Sequence, residues 1–198
     1  MMKKNSFFSA QMLAEAGLMI ALAKVLSMIK LFEAPYGGSV TLGSMAPLFI
    51  FAVRWGWKRG LLVGMVYGFV DLMIGGYIIH PLQLVLDYPL AYMMCGFAGL
   101  RTVRSEERFL SFLPPIFLAV ALRFVCHVLS GCIFFGAIDF TKPGATLAEA
   151  LVPANFFSGL SYSVLYNLGY LSFDFIICVA LMGLLWQPIR RALIQKAN

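Results

Sequence analysis

The segment with the clearest chemical potential is an apolar run that carries an aspartate near its start. His80, Gln83 and Asp87 occur at positions i, i+3 and i+7, so the three polar side chains share one face of a helix. A carboxylate at membrane depth costs roughly 2.5–3.5 kcal/mol on insertion scales, so its default interpretation is a functional site. The alternative is an aspartate without a functional role that lies near the outer lipid headgroups and is hydrated by water.

Two prolines should shape this helix. Pro81 suits a first helical position, where the missing N–H removes no hydrogen bond. Pro89 removes a backbone hydrogen bond inside the helix, which predicts a kink and a free carbonyl near Asp87. The sequence Gly75-Gly76-Tyr77 lies just before the helix, and the topology predicts Tyr77 on the same outer side as Asp87.

A second polar face is predicted around Arg123 and His127, which are four residues apart in another apolar run. Considered alone, His127 would be interpreted as a core histidine whose hydrogen bonds are made within the protein. Arg123 reverses that interpretation, because an arginine stays charged and must find an anion, water or several acceptors. Phe135 follows two turns later and could add an aromatic wall.

Aromatic and amide side chains complete a candidate cleft. Tyr162 and Asn167 lie in the last apolar run, with Tyr166, Tyr170 and Asp174 after or between them. Tyr36 lies beside Gly37-Gly38 in a loop, and Tyr67 and Asp71 lie one turn apart in a third run. Rings around a carboxylate suit a small aromatic cation, since cation–π contact contributes roughly 0.5–2 kcal/mol per ring. Asn, His and Gln can then orient such a ligand by hydrogen bonds.

Composition places these residues in a membrane protein. The chain has 198 residues, of which 61% are hydrophobic and 12% charged, against about 25% charged in a soluble domain. Apolar runs are predicted at 8–29, 41–53, 60–75, 80–100, 109–137 and 156–186. The fold class is therefore an all-α integral membrane bundle of six transmembrane helices, forming one domain over 1–198. The second run carries Pro47 and is predicted to be short and kinked. In the third run Gly60, Gly64 and Gly68 recur at i, i+4 spacing, which predicts a seam for tight packing inside the bundle.

The basic residues define the topology. They cluster at the N-terminus, after the second run, after the fourth run and at the C-terminus. By the positive-inside rule both termini are cytoplasmic. The net charge of +6 is thus a topological signal, and short separate clusters at span ends do not indicate nucleic-acid binding. The first run is followed by Lys30 and lacks a small-residue cleavage site, so it is expected to be a retained anchor.

Small residues along the first run form a possible packing face. Ala14, Gly17 and Ala21 recur at helical spacing, which allows close approach of another helix in lipid. Packing inside the bundle and docking of a partner membrane protein both explain it. Glu15 and Lys24 in the same run need a wet or paired environment. The four cysteines form no Cys-x-x-Cys pair and read as buried hydrophobes, with neither a metal site nor a cofactor predicted.

The motifs together resemble the thiamin-specific S components of energy-coupling factor transporters. The resemblance covers nearly the whole chain, and the pieces occur in one order: Gly37-Gly38-Ser39-Val40, Arg54-Trp55-Gly56, His80-Pro81-x-Gln83-x-x-Leu86-Asp87-Tyr88, Arg123-x-x-x-His127-x-x-Ser130-Gly131-x-x-Phe134-Phe135-Gly136 and Tyr162-Ser163-x-x-Tyr166-Asn167. It implies a high-affinity thiamin-binding subunit in the bacterial cytoplasmic membrane. It also implies three partners, a transmembrane coupling protein and two cytoplasmic ATPases.

The resemblance assigns roles residue by residue. It implies that Asp87, followed by Tyr88, engages the thiazolium, and that His127, Tyr162 and Asn167 help to hold the ligand. The small residues around Gly17 and Ala21 would dock on the coupling protein. The family pattern allows Glu where Asp87 stands, and Trp where Tyr36, Tyr67 or Phe135 stand. Asp71 receives no role from the resemblance.

Two other classes of protein compete with this interpretation. An intramembrane enzyme acting on a small cationic or heteroaromatic substrate would need a catalytic frame, and neither Gly-x-Ser-x-Gly nor His-Glu-x-x-His occurs. A stand-alone secondary transporter would be expected to show inverted repeats, and no clear repeat is visible. No Walker A motif is present, so any coupling to ATP must come from partners.

Overall fold

The computed structural model describes residues 8–34, 38–78, 81–103, 108–134 and 153–195, and these residues are mostly helical. Helix α1 is Ala10–Met28, and strands β1 and β2 are Lys30–Glu33 and Ser39–Thr41. Helices α2 and α3 are Ala46–Trp55 and Trp57–Gly75. Residues 81–100 form α4, and α5 is Leu113–Phe134, preceded by a 3₁₀ turn at Phe109–Phe112. Helices α6 and α7 are Pro153–Leu184 and Trp186–Gln195.

Three of these helices are long and apolar enough to cross a membrane, within the described part of the chain. They are Ala10–Met28, Phe109–Cys132 and Phe157–Leu184, and Ala46–Trp55 is a shorter apolar helix. The helical character agrees with the predicted fold class. The count of six crossings and the side on which the termini lie stay predictions.

Helix α4 changes its geometry at the residue that the sequence marked for a kink. It is α-helical over Pro81–Val85, π-helical over Leu86–Leu90, α-helical over Ala91–Met94 and 3₁₀ over Cys95–Leu100. Pro89 lies within the π turn and lacks the N–H that would close a regular α-helical bond there. The wider turn begins next to Asp87, and single π turns of this kind are common at functional sites.

A seam of glycines brings α3 against α4. A Cβ on Gly60 would stand 2.9 Å from Cα of Gly96, and one on Gly68 would stand 2.6 Å from Cα of Pro89. A Cβ on Gly64 would meet the carbonyl of Tyr92. The predicted internal packing of this seam is confirmed. Because the two backbones touch, the π turn and its aspartate have a fixed position relative to α3.

The connection between α1 and α2 contains two strands that the all-α prediction did not include. β1 pairs with β2 in antiparallel fashion, with Phe32 opposite Val40 and Glu33 opposite Ser39. The register is irregular between Lys30 and Phe32. Extended residues with a β-branched valine can pair locally even in a helical protein. This β-hairpin turns back into the bundle, where Val40 and Thr41 are buried.

Helix α2 corrects the prediction of a kinked second span. Pro47 lies in the first turn, where its absent N–H interrupts no bond, so the helix begins there instead of bending. The ten-residue helix is almost wholly buried, with Phe49, Phe51, Ala52 and Val53 at 1% exposure or less. It therefore forms part of the hydrophobic core of the bundle.

The two charged residues of α1 both have partners. Arg54 Nε lies 2.6 Å from Glu15 Oε2, and the indole Nε1 of Trp55 donates to the same oxygen at 2.9 Å. Lys24 Nζ lies 2.7 Å from Asp71 Oδ1. The expectation that Glu15 and Lys24 need paired surroundings is confirmed.

The four cysteines are buried and form no disulfide bond.

Candidate functional site

A cavity of about 670 Å³ lies between the β-hairpin and helices α1, α3, α4, α5 and α6. Its lining combines five tyrosines with charged, amide and hydroxyl side chains. Those central to its chemistry are Asp71, Tyr77, Gln83, Asp87, Tyr88, Tyr92, Arg123, His127, Ser130, Tyr166, Asn167, Tyr170 and Asp174. Such a mixture of rings and a few polar groups is typical of a small-molecule site.

Asp87 accepts hydrogen bonds at both of its carboxylate oxygens. His127 Nδ1 lies 2.8 Å from Oδ1, while Ser130 Oγ and Gln83 Nε2 donate to Oδ2 at 2.7 and 2.9 Å. With an acceptor facing it, His127 Nδ1 carries the proton in the neutral ring. Three donors from two helices therefore fix one carboxylate while its side chain stays 22% exposed.

The segment before α4 closes on the same site through Tyr77 and Tyr88. The Tyr77 backbone N–H donates to the Tyr88 hydroxyl at 2.6 Å, and Gln83 Nε2 donates to the Tyr77 carbonyl at 3.1 Å. Gln83 thus bonds both the Asp87 carboxylate and the turn that carries Tyr77. The first turn of α4 and its preceding loop are held as one unit beside the carboxylate.

Arg123 lies over an aromatic ring instead of beside an acid. Its Cζ is 3.8 Å from the centre of the Tyr92 ring, and the residue is only 7% exposed. Nε and Nη1 have no hydrogen-bond partner among the described residues. The Tyr92 hydroxyl in turn donates to Asp71 Oδ2 at 3.1 Å. The buried cation is therefore stabilised by a ring face, with donors left over.

Helix α6 contributes an amide and two phenols. Asn167 Nδ2 donates to the carbonyls of Ser163 and His127 at 2.9 and 3.3 Å, and the Tyr170 hydroxyl donates to Asn167 Oδ1 at 2.9 Å. The rings of Tyr166 and Tyr170 meet edge to face with centroids 5.6 Å apart. These bonds tie α6 to α5 at the level of His127 and present a tyrosine wall to the cavity.

The β-hairpin is bonded to α6 at two points. The Tyr166 hydroxyl accepts from the Gly38 N–H at 2.9 Å. Asp174 Oδ1 accepts from the Thr41 N–H at 2.8 Å and from the Thr41 hydroxyl at 2.7 Å. Both Thr41 and Asp174 are buried, at 5% and 4% exposure. The hairpin therefore forms one wall of the cavity.

The charges along the cavity leave a small net negative balance. Lys24 pairs with Asp71, and Lys30 pairs with Glu33 at 2.6 Å. The charged lining residues that remain are Arg123, Asp87 and Asp174. With His127 neutral and every carboxyl group ionised, the formal charge of the described lining is −1. A monovalent cation would balance that charge, whereas an anion would increase it.

Seven of the predicted ligand residues line this cavity. They are Tyr77, Gln83, Asp87, Tyr88, Arg123, His127 and Asn167. Tyr67 is fully buried and does not line the cavity. Its ring lies nearly perpendicular to the Tyr92 ring, and the two ring centroids are 4.5 Å apart. Tyr162 is half exposed, stacks on Tyr166 and lies outside the lining. Tyr36, His80 and Phe135 lie outside the described residues.

The sequence interpretation missed several lining residues. Thr41 and Ser44 gave no signal, because isolated hydroxyls in apolar runs are common. Asp174 received no role in the sequence interpretation, although it continues the helical row of Tyr166 and Tyr170 at i+4 and i+8. The sequence indicates that Lys24 needs a partner and places Asp71 in another run, but only the packing of α1 on α3 shows that the two form an ion pair.

Residues 13–194 match the family described as Thiamine transporter protein (Thia_YuaJ). The chain is 33% identical over 193 residues to the thiamine transporter ThiT of Bacillus subtilis (strain 168), covering 91% of this chain and 93% of that one. It is 25% identical over 154 residues to ThiT of Lacticaseibacillus paracasei, covering 71% and 70% of the two chains.

A solved structure shares the fold. ThiT from Listeria monocytogenes superposes with a TM-score of 0.68 at 21% sequence identity, covering 93% of this chain and 97% of that chain. The likeness extends over nearly the whole chain, so it concerns the arrangement of the bundle and not one helix pair.

Proposed function

Because the chain belongs to the thiamine transporter family, a family of membrane transport proteins and not of enzymes, we propose that it is a high-affinity thiamin-binding subunit. In this proposal it is the substrate-specific component of an importer of the energy-coupling factor class. The relatives named above are thiamine transporters. The cavity described here would be the site at which this chain binds its vitamin.

The observation that carries the proposal is the state of Asp87. Its two oxygens already accept three hydrogen bonds from the protein, yet the side chain lines the cavity. A thiazolium nitrogen is positively charged and carries no hydrogen, so it needs a nearby fixed negative charge and no further acceptor. A carboxylate held from behind by protein donors suits that cation, and tyrosine faces add cation–π attraction.

The charge balance of the lining supports the same ligand. Thiamin carries one positive charge at neutral pH, and the described lining carries one net negative charge. A neutral complex avoids leaving an uncompensated charge in a low-dielectric cavity. The site would thereby favour the vitamin over its anionic phosphates, which would bring additional negative charge.

We further propose six crossings of the bacterial cytoplasmic membrane with both termini in the cytoplasm. Helices α1 to α6 supply the six helical segments, and the basic residues lie at alternate ends of them. This orientation directs the β-hairpin and the start of α4 to the outside. Thiamin would then enter the cavity from the external face.

In this proposal any coupling to ATP comes from partners, because no Walker A motif occurs in the sequence. We propose a transmembrane coupling protein and two cytoplasmic ATPases. The docking face on α1 would comprise Ala14, Gly17 and Ala21, which are all exposed in the described structure. A Cβ on Gly17 would meet nothing within 4 Å, so the face is free for another helix.

The direct test is equilibrium binding of thiamin to the purified protein in detergent. We expect one thiamin per chain, with quenching of tyrosine or tryptophan fluorescence. Uptake by proteoliposomes should require ATP and the partner proteins. Accumulation by the isolated chain in response to an ion gradient would instead support a stand-alone secondary transporter, and absence of stoichiometric binding would contradict the proposal altogether.

A further inference from the structure

The seam between α1 and α3 forms one wall of the cavity at the end next to the β-hairpin. Three residues of each helix line this wall: Lys24, Ser27 and Met28 on α1, and Asp71, Ile74 and Gly75 on α3. On each helix these positions are i, i+3 and i+4, so they share one face. The two faces meet beside the cavity, and a contact that joins the helices there also holds this wall closed.

An ion pair joins the two helices at this level. Lys24 Nζ lies 2.7 Å from Asp71 Oδ1, and the two side chains are only 16% and 17% exposed. The nearby Tyr67 hydroxyl lies 3.5 Å from the Ala23 carbonyl, which is long for a hydrogen bond. Two apolar helices gain little by leaving lipid for each other, so polar contacts and close packing decide where they meet. The ion pair is therefore a main attachment of α1 to this wall.

Asp71 also connects this ion pair to the neighbouring wall. Its Oδ2 accepts a hydrogen bond from the Tyr92 hydroxyl at 3.1 Å. The Tyr92 ring in turn carries the Arg123 guanidinium, with Cζ 3.8 Å from the ring centre. Side chains of α1, α3, α4 and α5 are thus in successive contact around the cavity. Because protein donors engage both oxygens of Asp71, this carboxylate can influence a ligand without touching it.

Resting on the proposed function, we propose that Lys24 and Asp71 are positioning residues that retain the bound ligand by holding the wall between α1 and α3 closed. Separating the two helix faces requires breaking a partly buried ion pair, which leaves each charge without its partner. With the pair intact, the wall opens rarely and the ligand dissociates slowly. With the pair broken, the wall opens more often, and Tyr92 loses the ion pair that fixes its acceptor.

The experiment measures the dissociation rate constant of thiamin, koff. Radiolabelled thiamin is bound to the purified full chain in detergent and then chased with excess unlabelled thiamin. Lys24→Gln and Asp71→Asn should each raise koff by at least about fivefold while one thiamin still binds per chain, because either change removes the ion pair. The double variant should dissociate no faster than the faster single variant, since the second change breaks nothing further. Single effects that multiply in the double variant would overturn the proposal.

The charges of the two residues provide a second criterion. If Lys24 and Asp71 acted only through their charge on a bound cation, Asp71→Asn would remove an attraction and raise koff. Lys24→Gln would then remove a repulsion and lower koff. A rise of koff in both variants supports a wall held closed by the pair. Changes of opposite sign would overturn it.

The other ionic contact of α1 offers a matched control. Glu15 Oε2 lies 2.6 Å from Arg54 Nε, with similar exposure, and neither residue lines the cavity. Glu15→Gln should keep koff within about twofold of the wild type, because it leaves the wall unchanged. If Glu15→Gln accelerates dissociation as much as Asp71→Asn, any loosening of α1 releases the ligand and the specific role of the pair is refuted. A lower Tm with unchanged koff in Lys24→Gln and Asp71→Asn would reduce the pair to a structural contact.

A conservative variant and the wild type complete the test. Lys24→Arg keeps the charge and should hold koff within about threefold of the wild-type value. Should Asp71→Asn fail to give a monodisperse protein, Lys24→Gln and Lys24→Arg decide the question, and equal koff values for these two would refute the proposal. Absence of thiamin binding by the wild type would refute the proposed function itself. Asp87-dependent binding with a koff that ignores the ion pair would refute the positioning role alone.

Discussion

Asp87 Oδ1 lies 2.8 Å from His127 Nδ1, although the two residues are 40 positions apart in the chain. The contact joins the π turn of α4 to the middle of α5. It fixes the direction of the carboxylate and assigns the imidazole proton to Nδ1. The proposed cation site depends on this carboxylate, so the first two predictions concern Asp87 and its orientation.

Replacing Asp87 by Asn should weaken thiamin binding by more than tenfold, because a desolvated cation would lose its counter-charge. Isothermal titration calorimetry of the purified protein gives the constant. Glu15→Gln is the matched control, since it removes the same charge from a pair with Arg54 that lies outside the cavity lining, and it should change binding by less than about threefold. Equal affinities for Asp87→Asn and the wild type would refute the cation site.

Ser130→Ala should test whether the carboxylate must be oriented as well as charged. Hydrogen bonds to charged groups contribute about 1.5–3 kcal/mol, and only part of this affects the complex, so binding should weaken about threefold to tenfold. Ser111→Ala, whose exposed hydroxyl bonds the Arg108 carbonyl, should bind thiamin as the wild type does. No difference between the two serine variants would mean that Ser130 does not position Asp87.

Gly64→Ala should destabilise the bundle. The added Cβ would meet the Tyr92 carbonyl and lie 3.1 Å from Cα of Met93, both of which are backbone atoms that cannot rotate away. We expect the Tm in detergent to fall by roughly 5–10 °C. Gly75→Ala, where nothing lies within 4 Å of the new Cβ, should keep the wild-type Tm within about 2 °C. Similar melting of the two variants would contradict the close approach of α3 and α4.

Lys24→Met should destabilise the protein because Asp71 would lose its buried partner. Removal of one member of such a pair costs about 3–5 kcal/mol, and the partial exposure of this pair reduces that to about 2 kcal/mol. The exposed pair offers a control, since Lys30→Met should cost about 0–1 kcal/mol. The double variant Lys24→Met with Asp71→Leu should recover part of the lost Tm. Without any recovery, the ion pair would have no role in joining α1 to α3.

Gly17→Leu should separate ligand binding from assembly. The new side chain would project from the exposed face of α1 and block close approach of a partner helix. ATP-dependent uptake should fall at least tenfold while the thiamin affinity of the purified chain stays within about threefold. Phe173→Trp, an enlargement at an exposed position of α6, is the control and should support normal uptake. Normal uptake by Gly17→Leu would exclude this face from docking.

The sequence could predict features that depend on spacing along one helix. The Gly60, Gly64 and Gly68 repeat predicted tight packing, and Pro89 predicted an interruption beside Asp87, because helix geometry is local. The order of motifs also pointed to the family that the comparisons identify. The β-hairpin was missed, since short strands in a loop carry little periodic signal.

What the tertiary structure alone decided is which side chains meet. The sequence placed Asp87, His127 and Arg123 near one another, but it could not show that His127 bonds the acid while Arg123 lies on the ring of Tyr92. It also could not join Thr41 to Asp174. These contacts depend on how far each helix is rotated and how deeply the hairpin inserts. Rotation and insertion follow from packing over the whole bundle, which no single stretch of sequence encodes.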